Sequence, residues 1–168
     1  LARQFLSVSE NRRLLEVVAE QARRDPLTGL ANRAMFSERL NQAMLQRQHD
    51  GTPVSLIALD LNDFKLVNDA LGHPAGDELL SRVGERILGC VRDGDTVARL
   101  GGDEFVVLTD GDTEASQLIA RRVAESFDKP FVIETRDLYI RPSIGLAVAG
   151  VAEPALTAED LLKRADVA

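Results

Sequence analysis

The run from Val54 to Leu59 is the feature that most restricts how this chain can fold, because nearly all of its residues are apolar. Gly51 and Pro53 stand just before the run and Asp60 follows it. A short apolar run between such residues predicts a buried strand. Because this strand is too apolar to lie in solvent, we expect the Asp60 carboxylate to emerge at its end.

Helical and strand patterns alternate along the rest of the sequence. Amphipathic periodicity predicts the helices, and short apolar runs bounded by glycine, proline or aspartate predict the strands. This order predicts an α+β fold in which helices pack on a largely antiparallel central sheet. The predicted helices cover about 33–48, 76–91, 113–127 and 157–168, and the predicted strands cover about 54–59, 96–100, 105–109, 131–134 and 138–149.

Residues 1–24 are predicted to form a leading helix that ends in the pair Arg23–Arg24. Its apolar residues recur at alternating steps of four and three, which suits a coiled-coil seam interrupted by Arg12. An amphipathic helix lying on its own domain would give the same pattern. Asp25–Pro26 ends the helix, because proline disfavours helical conformation in the residue before it.

Composition and charge exclude several classes of protein. Apolar residues make up 45% and charged residues 28% of the chain, which is the profile of an ordinary soluble globular domain. The net charge of −7 argues against a nucleic-acid partner, because a duplex-binding surface needs clustered lysine and arginine. The longest apolar stretches are too short to cross a bilayer, so no direct membrane contact is expected of this part of the protein. With Cys90 as the only cysteine, a cytoplasmic location is expected, and a membrane anchor elsewhere in the parent protein stays open.

Three carboxylates are expected to converge at one edge of the sheet if the strands that carry them are neighbours. Asp60 follows the buried strand, while Asp103 and Glu104 stand behind the hairpin glycines Gly101 and Gly102. Like charges held close together raise one another's pKa unless a cation joins them. Mg²⁺ prefers oxygen ligands shared with substrate phosphates, and two such ions would activate a hydroxyl and stabilise a leaving pyrophosphate. The four residues from Gly101 to Glu104 are also typical of a plain hydrophilic hairpin tip.

The loop after Asp60 is a candidate phosphate site. Residues from Leu61 to Lys65 leave a strand and are expected to enter a helix, so their backbone N–H groups can cradle phosphates. Lys65 adds a cation to this loop. Because lysine is also common on the surface of such loops, this segment does not define a function by itself.

The chain resembles the GGDEF-domain diguanylate cyclases in the segment Arg99-Leu100-Gly101-Gly102-Asp103-Glu104-Phe105. The resemblance extends, in matching order and spacing, over nearly all of residues 25–168, including 25–33, 60–65, 68–69, 72–77 and 164–166. It implies a fold like the palm of nucleic-acid polymerases and adenylyl cyclases, with a ferredoxin-like central sheet flanked by helices. It also implies an enzyme that joins two GTP molecules into cyclic di-GMP and releases two pyrophosphates.

Position by position, the resemblance implies the metal ligands and the catalytic groups. Asp60, Asp103 and the backbone carbonyl of Leu61 would bind Mg²⁺ or Mn²⁺. Asp103 or Glu104 would assist deprotonation of the 3′-hydroxyl that attacks the α-phosphorus of the second GTP. Lys65 would be a further catalytic group.

The resemblance also implies the contacts to the phosphates. The backbone amides of Asp63, Phe64 and Lys65 would hold the terminal phosphates of GTP. Gly101 and Gly102, which lack a Cβ, would let the nucleotide approach the hairpin backbone.

Guanine recognition falls to Asn68 and Asp77 in the same resemblance. Both residue types also cap helices well, so capping explains them without a ligand.

Each domain of the family binds one GTP, so two domains must meet face to face. A homodimer through the catalytic face is therefore expected, with the leading helix as a second contact.

Arg92 and Asp95 match the product-inhibition site of the family, an Arg-x-x-Asp placed ahead of the glycine pair. A guanidinium can pair with phosphate or the guanine face, and a carboxylate can accept from guanine N–H groups. A charged turn between a helix and a strand would have the same composition.

Two departures from the family pattern bear on activity. Asn62 stands where many members carry an aspartate that is not a metal ligand. The chain ends at Ala168, before the Tyr, Lys and Gly-Arg-Asn segment of the family, so a truncated domain that turns over poorly is expected. The expected organisation is a signalling or linker helix at 1–24 and a GGDEF domain at 25–168.

Other classes of function remain open at this point. A catalytically weak or inactive module that binds GTP or cyclic di-GMP within a larger signalling protein is the main alternative, although the signature carboxylates are kept. A cyclase acting on ATP is disfavoured by Asp77, because adenine lacks the N–H donors that a carboxylate accepts from guanine. A purely structural dimerisation domain would not need Asp60 and Asp103 together.

Overall fold

The computed structural model describes residues 22–150, 152–153 and 155–167. In this part of the chain, helices and strands alternate as predicted, except that two strands replace the single strand predicted over 138–149. The helices are α1 (Arg33–Asp50), α2 (Phe64–Leu71), α3 (His73–Leu88), α4 (Thr113–Ser126) and α5 (Ala158–Val167). The strands are β1 (Val54–Leu61), β2 (Thr96–Gly101), β3 (Glu104–Asp110), β4 (Phe131–Ile133), β5 (Arg136–Leu138) and β6 (Pro142–Ala149).

Strand β1 lies inside a four-stranded antiparallel sheet with the order β2-β3-β1-β6. It pairs with β3 on one side and with β6 on the other. Leu56 and Ile57 have no exposed surface, which confirms that this strand is buried. Strands β4 and β5 form a separate two-stranded sheet. The predicted α+β class with a largely antiparallel sheet is therefore confirmed.

Alternate residues of β1 point to opposite faces of the sheet, and each face has its own core. Ile57 packs on one face with α3 and α4, where Leu79 is fully buried. Leu56 packs on the other face with Phe36 of α1 and Leu161 of α5. Burying one such side chain contributes about 1.5–3 kcal/mol. None of the helices in the described part of the chain is long and apolar enough to cross a bilayer.

Helix α3 differs from its predicted bounds at both ends. It begins at His73 rather than at Gly76 and ends at Leu88 rather than at residue 91. Gly72, with a φ of 86°, separates it from α2. Pro74 lies in the first turn of the helix, where its missing N–H breaks no helical hydrogen bond. Gly72 and Pro74, residue types that are also common in loops, therefore mark the start of this helix.

The single strand predicted over 138–149 is wrong. Strand β5 ends at Leu138 and β6 begins at Pro142. Glu134 has a φ of 56°, so the chain turns sharply there and β5 folds back on β4. The apolar pattern continues across the break because Ile140, between the two strands, is also buried.

Arg23 and Arg24 are not helical, so the helix end predicted at this pair is wrong. Ala22 and Arg23 lie in a turn, and Arg24 forms an isolated antiparallel bridge with Ala31. Asn32 holds this segment, since its N–H donates to the Arg23 carbonyl at 2.9 Å and its side-chain amide donates to the Ala22 carbonyl at 2.8 Å. The rest of the predicted helix, residues 1–21, lies outside the described residues.

Arg99 of β2 links the loop after residue 24 to the β2–β3 hairpin. Its Nη1 lies 3.0 Å from Asp25 Oδ1, and its Nε and Nη2 donate to the Gly102 carbonyl at 2.9 and 2.8 Å. The hydroxyl of Thr28 donates to Asp25 at 2.7 Å. Burial raises the pKa of Asp25, but the Thr28 hydrogen bonds and the Arg99 charge outweigh it and hold that pKa below its ordinary value.

Asp25→Ala is expected to lower the free energy of unfolding at neutral pH by about 1.5–3 kcal/mol, the usual value of a hydrogen bond to a charged group. Since the folded-state pKa lies below the unfolded value, this contribution is complete above the unfolded pKa. It is lost as the pH falls through the folded-state pKa. Urea unfolding of parent and variant at neutral pH and in acid measures the difference.

A matched control is Glu38→Ala, which breaks the ion pair with Arg23. The side chains of Arg23 and Glu38 are each 45% exposed, whereas those of Arg99 and Asp25 are 13% and 14% exposed. Exposed pairs contribute less than about 1 kcal/mol. Equal losses in the two variants, or a loss for Asp25→Ala that persists in acid, would contradict this account.

Candidate functional site

The pairing of β1 with β3 brings the predicted carboxylates together at one edge of the sheet. Asp60 lies directly opposite Glu104, and their side chains point to the same face as Leu56 because side chains alternate along a strand. Burial raises the pKa of Asp60, and the charges of Asp103 and Asp166 raise it further. The site is therefore a region of concentrated negative charge.

The hairpin that carries Asp103 turns more tightly than predicted. Strand β2 continues through Gly101 and pairs there with Glu104, so that only Gly102 and Asp103 form the tip. Gly102 has a φ of 51°, which glycine adopts without strain. A Cβ built on Gly101 or Gly102 would meet no atom within 4 Å. The backbone at this edge is thus open to a ligand.

Asp60, Asp103 and Glu104 define a carboxylate edge of the sheet. A cavity of about 300 Å³ lies against this carboxylate edge. Asp60, Glu104 and Asp166 line it together with Arg33 from the start of α1. The Arg33 Nη2 lies 3.6 Å from the Glu104 carboxylate, and its Nε donates to the Leu100 carbonyl at 3.2 Å. No site role was predicted for Arg33 or Asp166, although both stand in segments that carried the resemblance.

The loop after Asp60 enters α2 through a strained residue. Asp63 has a φ of 62°, in the left-handed region that side chains other than glycine rarely adopt. Within the described residues, the backbone N–H groups of Asp63, Phe64 and Lys65 donate to no carbonyl, as expected at the start of a helix. Lys65 is exposed. These three amides and one ammonium are available to an anion.

Oxygen donors at this edge suit a divalent ion. The Asn62 N–H donates to the Arg141 carbonyl of the β6 side, so the strand's alternation turns the Leu61 carbonyl to the β3 side. Glu104, the first residue of β3, pairs with Asp60. The Leu61 carbonyl therefore lies just beyond the end of β3, on the side of the hairpin tip that carries Asp103. Among the described residues no three acidic, histidine or cysteine side chains form a complete metal centre. Two carboxylates and a carbonyl, completed by substrate phosphates, are a common Mg²⁺ arrangement.

Asn62 itself makes a structural contact rather than joining the carboxylates. Its side-chain oxygen accepts from the Ser143 hydroxyl at 2.8 Å. This hydrogen bond links β6 to the start of the loop from Leu61 to Lys65, which is called the phosphate loop below.

Asn68 and Asp77 lie on consecutive helices beside the phosphate loop. Asn68 is half-buried on α2 and Asp77 is exposed on α3. Neither residue caps a helix: α2 begins after Asp63, and Gly72 both ends α2 and precedes α3. The capping alternative is therefore wrong for both residues.

Arg92 and Asp95 lie at the other end of β2 from the hairpin tip. The Asp95 side chain accepts from the Arg92 backbone N–H at 2.8 Å, which closes a tight turn. Arg92 also lines an open cavity of about 600 Å³ together with Arg121 of α4. Arg121 was not predicted, because nothing in a helical pattern shows which exposed arginine faces a distant turn.

Helices on both faces of an antiparallel sheet, with an acidic hairpin at its edge, define a palm-like α+β domain. The family model described as the GGDEF domain of diguanylate cyclases matches residues 22–168. The chain belongs to this family.

Individual relatives agree with the family match. The cyclic di-GMP phosphodiesterase NbdA of Pseudomonas aeruginosa is 39% identical over 151 residues, 89% of this chain and 19% of that protein. The diguanylate cyclase DgcP of the same organism is 42% identical over 134 residues, 79% of this chain and 20% of that protein. This chain thus spans about a fifth of the length of these curated relatives.

A solved structure matches over almost the whole chain. The coiled coil and GGDEF domain of DgcB from Caulobacter crescentus, in complex with cyclic di-GMP, superposes with a TM-score of 0.90 at 27% identity. The match covers 99% of this chain and 88% of that one.

Asp60→Asn is expected to raise the melting temperature at neutral pH without divalent ions, because it removes a charge that its neighbours repel. The folded-state pKa of Asp60 is raised, so its ionised form destabilises the fold above that pKa. The destabilisation disappears as the pH falls through the raised pKa to the unfolded value. Thermal unfolding in EDTA at neutral pH and in acid measures the effect.

The control for this variant is Asp128→Asn, which changes an exposed aspartate away from the carboxylate edge. It is expected to leave the melting temperature unchanged. A lower melting temperature for Asp60→Asn at neutral pH would show that Asp60 supports the fold rather than opposing it.

Proposed function

We propose that this chain is a diguanylate cyclase domain, which condenses two GTP molecules into cyclic di-GMP with release of two pyrophosphates. One observation carries the proposal: at the end of β1, Asp60 lies opposite Glu104, next to the hairpin tip with Asp103 and at the start of the phosphate loop. The family to which the chain belongs supports the same reaction.

Each residue of the edge has a part in the proposed reaction. The amides of Asp63, Phe64 and Lys65 hold the terminal phosphates, and the Lys65 ammonium offsets their charge. Asp103 or Glu104 accepts the proton of the 3′-hydroxyl. The hydroxyl oxygen then bonds to the α-phosphorus of the other GTP, and the bond to the pyrophosphate breaks.

The metal ligands proposed for the edge are Asp60, Asp103 and the Leu61 carbonyl. A bound Mg²⁺ or Mn²⁺ would lower the pKa of the attacking hydroxyl and neutralise charge on the pyrophosphate. The raised pKa of Asp60 supports this proposal, because a cation relieves the repulsion that raises it.

Two copies of the domain are needed, because each holds one GTP and the reaction joins two. We propose that they meet through the exposed hairpin edge, with each 3′-hydroxyl facing the other's α-phosphate. Gly101 and Gly102 leave room there for the nucleotides. Asn68 and Asp77 are proposed to read guanine, with the Asp77 carboxylate accepting from its N–H donors.

The segment ahead of the domain, residues 1–24, is proposed to couple it to a signalling partner or domain. The coiled coil named with the GGDEF domain of DgcB supports this assignment. The domain itself is proposed to begin at residue 25, close to the start of the family match at residue 22.

A second function is a regulatory module that binds GTP or cyclic di-GMP without synthesis. The relatives favour it in one respect, because NbdA is named a cyclic di-GMP phosphodiesterase. Formation of cyclic di-GMP from GTP distinguishes the two proposals, because only a cyclase makes this product.

Asp103→Asn is expected to reduce synthesis of cyclic di-GMP from GTP by at least about a hundredfold, since it removes a metal ligand and a proton acceptor together. The fold should survive, because Asp103 is at the hairpin tip outside both cores. Initial rates of product formation, with circular dichroism to check folding, measure the effect. Asp128→Asn is the matched control and should keep the parent rate.

Retention of the parent rate by Asp103→Asn would remove the carboxylate from the proposed reaction. Loss of synthesis in both variants would point to a general defect in the preparation.

Arg92→Ala is expected to weaken product inhibition about tenfold, because a hydrogen bond to a charged group is lost. Arg92 lies at the far end of β2 from the reacting groups, so uninhibited turnover should not change. Titration of cyclic di-GMP against the initial rate of parent and variant gives the two midpoints. An unchanged midpoint would leave Arg92–Asp95 as a charged turn.

A further inference from the structure

Gly76 of α3 stands directly against the Asn68 side chain of α2. An ideal Cβ built on Gly76 would lie 1.9 Å from Asn68 Oδ1 and 3.0 Å from its Cγ. Contacts between a real Cβ and another heavy atom are essentially never shorter than 3.0 Å. The Asn68 amide therefore occupies the volume that any side chain at position 76 would need.

The Asn68 amide packs against the Gly76 backbone. No polar group in the described part of the chain bonds to this side-chain amide, although the Asn68 backbone carbonyl accepts from the Gly72 N–H at 2.9 Å. The Phe64 ring also borders the space, with its Cζ 3.3 Å from the built Cβ. An amide that has no internal partner is free to bond a ligand.

We infer that Gly76 is a positioning residue for base recognition, because its missing side chain keeps the Asn68 amide directed at the guanine edge. This inference rests on the proposed function, in which Asn68 and Asp77 read guanine. Asp77 is the next residue along α3, so the close approach of α2 and α3 at Gly76 also brings the two reading groups together.

The conflict created by a side chain at position 76 is expected to displace Asn68 and leave the fold intact. The clashing atoms are the end of a flexible side chain, which can rotate away without moving either backbone. Alanine also favours helix over glycine, which offsets part of the loss in packing. The effect should therefore appear in nucleotide preference rather than in folding.

Gly84 provides a matched control on the same helix. A Cβ built on Gly84 would lie 3.1 Å from Leu30 Cδ1, in the loop that precedes α1, and away from Asn68. Gly84→Ala makes the same helical substitution in an equally buried position, but its clash involves no reading group.

The test compares the affinities of 3′-deoxy-GTP and 3′-deoxy-ATP, which lack the attacking hydroxyl and cannot be turned over. Gly76→Ala should lower the preference for the guanine nucleotide about tenfold, the size expected for one hydrogen bond. Gly84→Ala should leave the preference unchanged. Calorimetric titrations of the protein in Mg²⁺ buffer give both affinities.

A double-mutant cycle separates positioning of Asn68 from a general effect of the methyl group. In an Asn68→Ala background the clash is gone, so adding Gly76→Ala should change the preference no further. Additive losses, or a parent-like preference in Gly76→Ala, would overturn the inference. So would failure of Gly76→Ala to fold, because Asn68 could then not move aside.

The proposed function fails separately from this inference. If Asn68→Ala alone keeps the parent preference, Asn68 does not read guanine and the base assignment is wrong. If Asn68→Ala loses the preference while Gly76→Ala keeps it, only the role of Gly76 is wrong.

Discussion

The antiparallel register of β1 against β3 is the constraint on which the site depends. It sets Asp60 opposite Glu104 and leaves the Leu61 carbonyl beyond the end of β3, beside the hairpin tip. Because side chains alternate along a strand, a shift of one residue would turn Asp60 towards the opposite core. Two apolar faces, each covered by helices, hold the register in place.

Hydrogen bonds and an ion pair stabilise the backbone of the β2–β3 hairpin, while charge repulsion destabilises the carboxylates beside it. Arg99 joins the Gly102 carbonyl to Asp25, so the loop before α1 fixes the backbone next to Asp103. At the edge itself, the pKa of Asp60 is raised by burial and by the charges of Asp103 and Asp166, so its ionised form is unfavourable. Sites that act on substrates often keep such unfavourable arrangements, and the surrounding fold compensates for them.

Much of the fold followed from local patterns in the sequence. The apolar run at Val54–Leu59 predicted a buried strand because its composition allows no other environment, and the structure confirms it. The bounds of α3 were wrong because glycine and proline at residues 72 and 74 have the same signature in a loop as at a helix start. Such ambiguity is settled by packing between elements, which a local pattern does not contain.

The same limit applies to the site. Asp60, Asp103 and Glu104 were predictable as a group because two strand ends and a hairpin were visible in sequence. Arg33 and Asp166 join them through packing of α1 and α5 against the sheet, which depends on tertiary contacts. The fit between Gly76 and Asn68 is of the same kind, since a glycine gives no sign of which side chain fills its place.

The most direct test of the central claim is the identity of the product formed from GTP. The purified protein is incubated with GTP and Mg²⁺, and the nucleotides are separated and identified by mass spectrometry. The account predicts cyclic di-GMP with two pyrophosphates released for each molecule formed. GTP that is bound but recovered unchanged would contradict it and favour a regulatory module in its place.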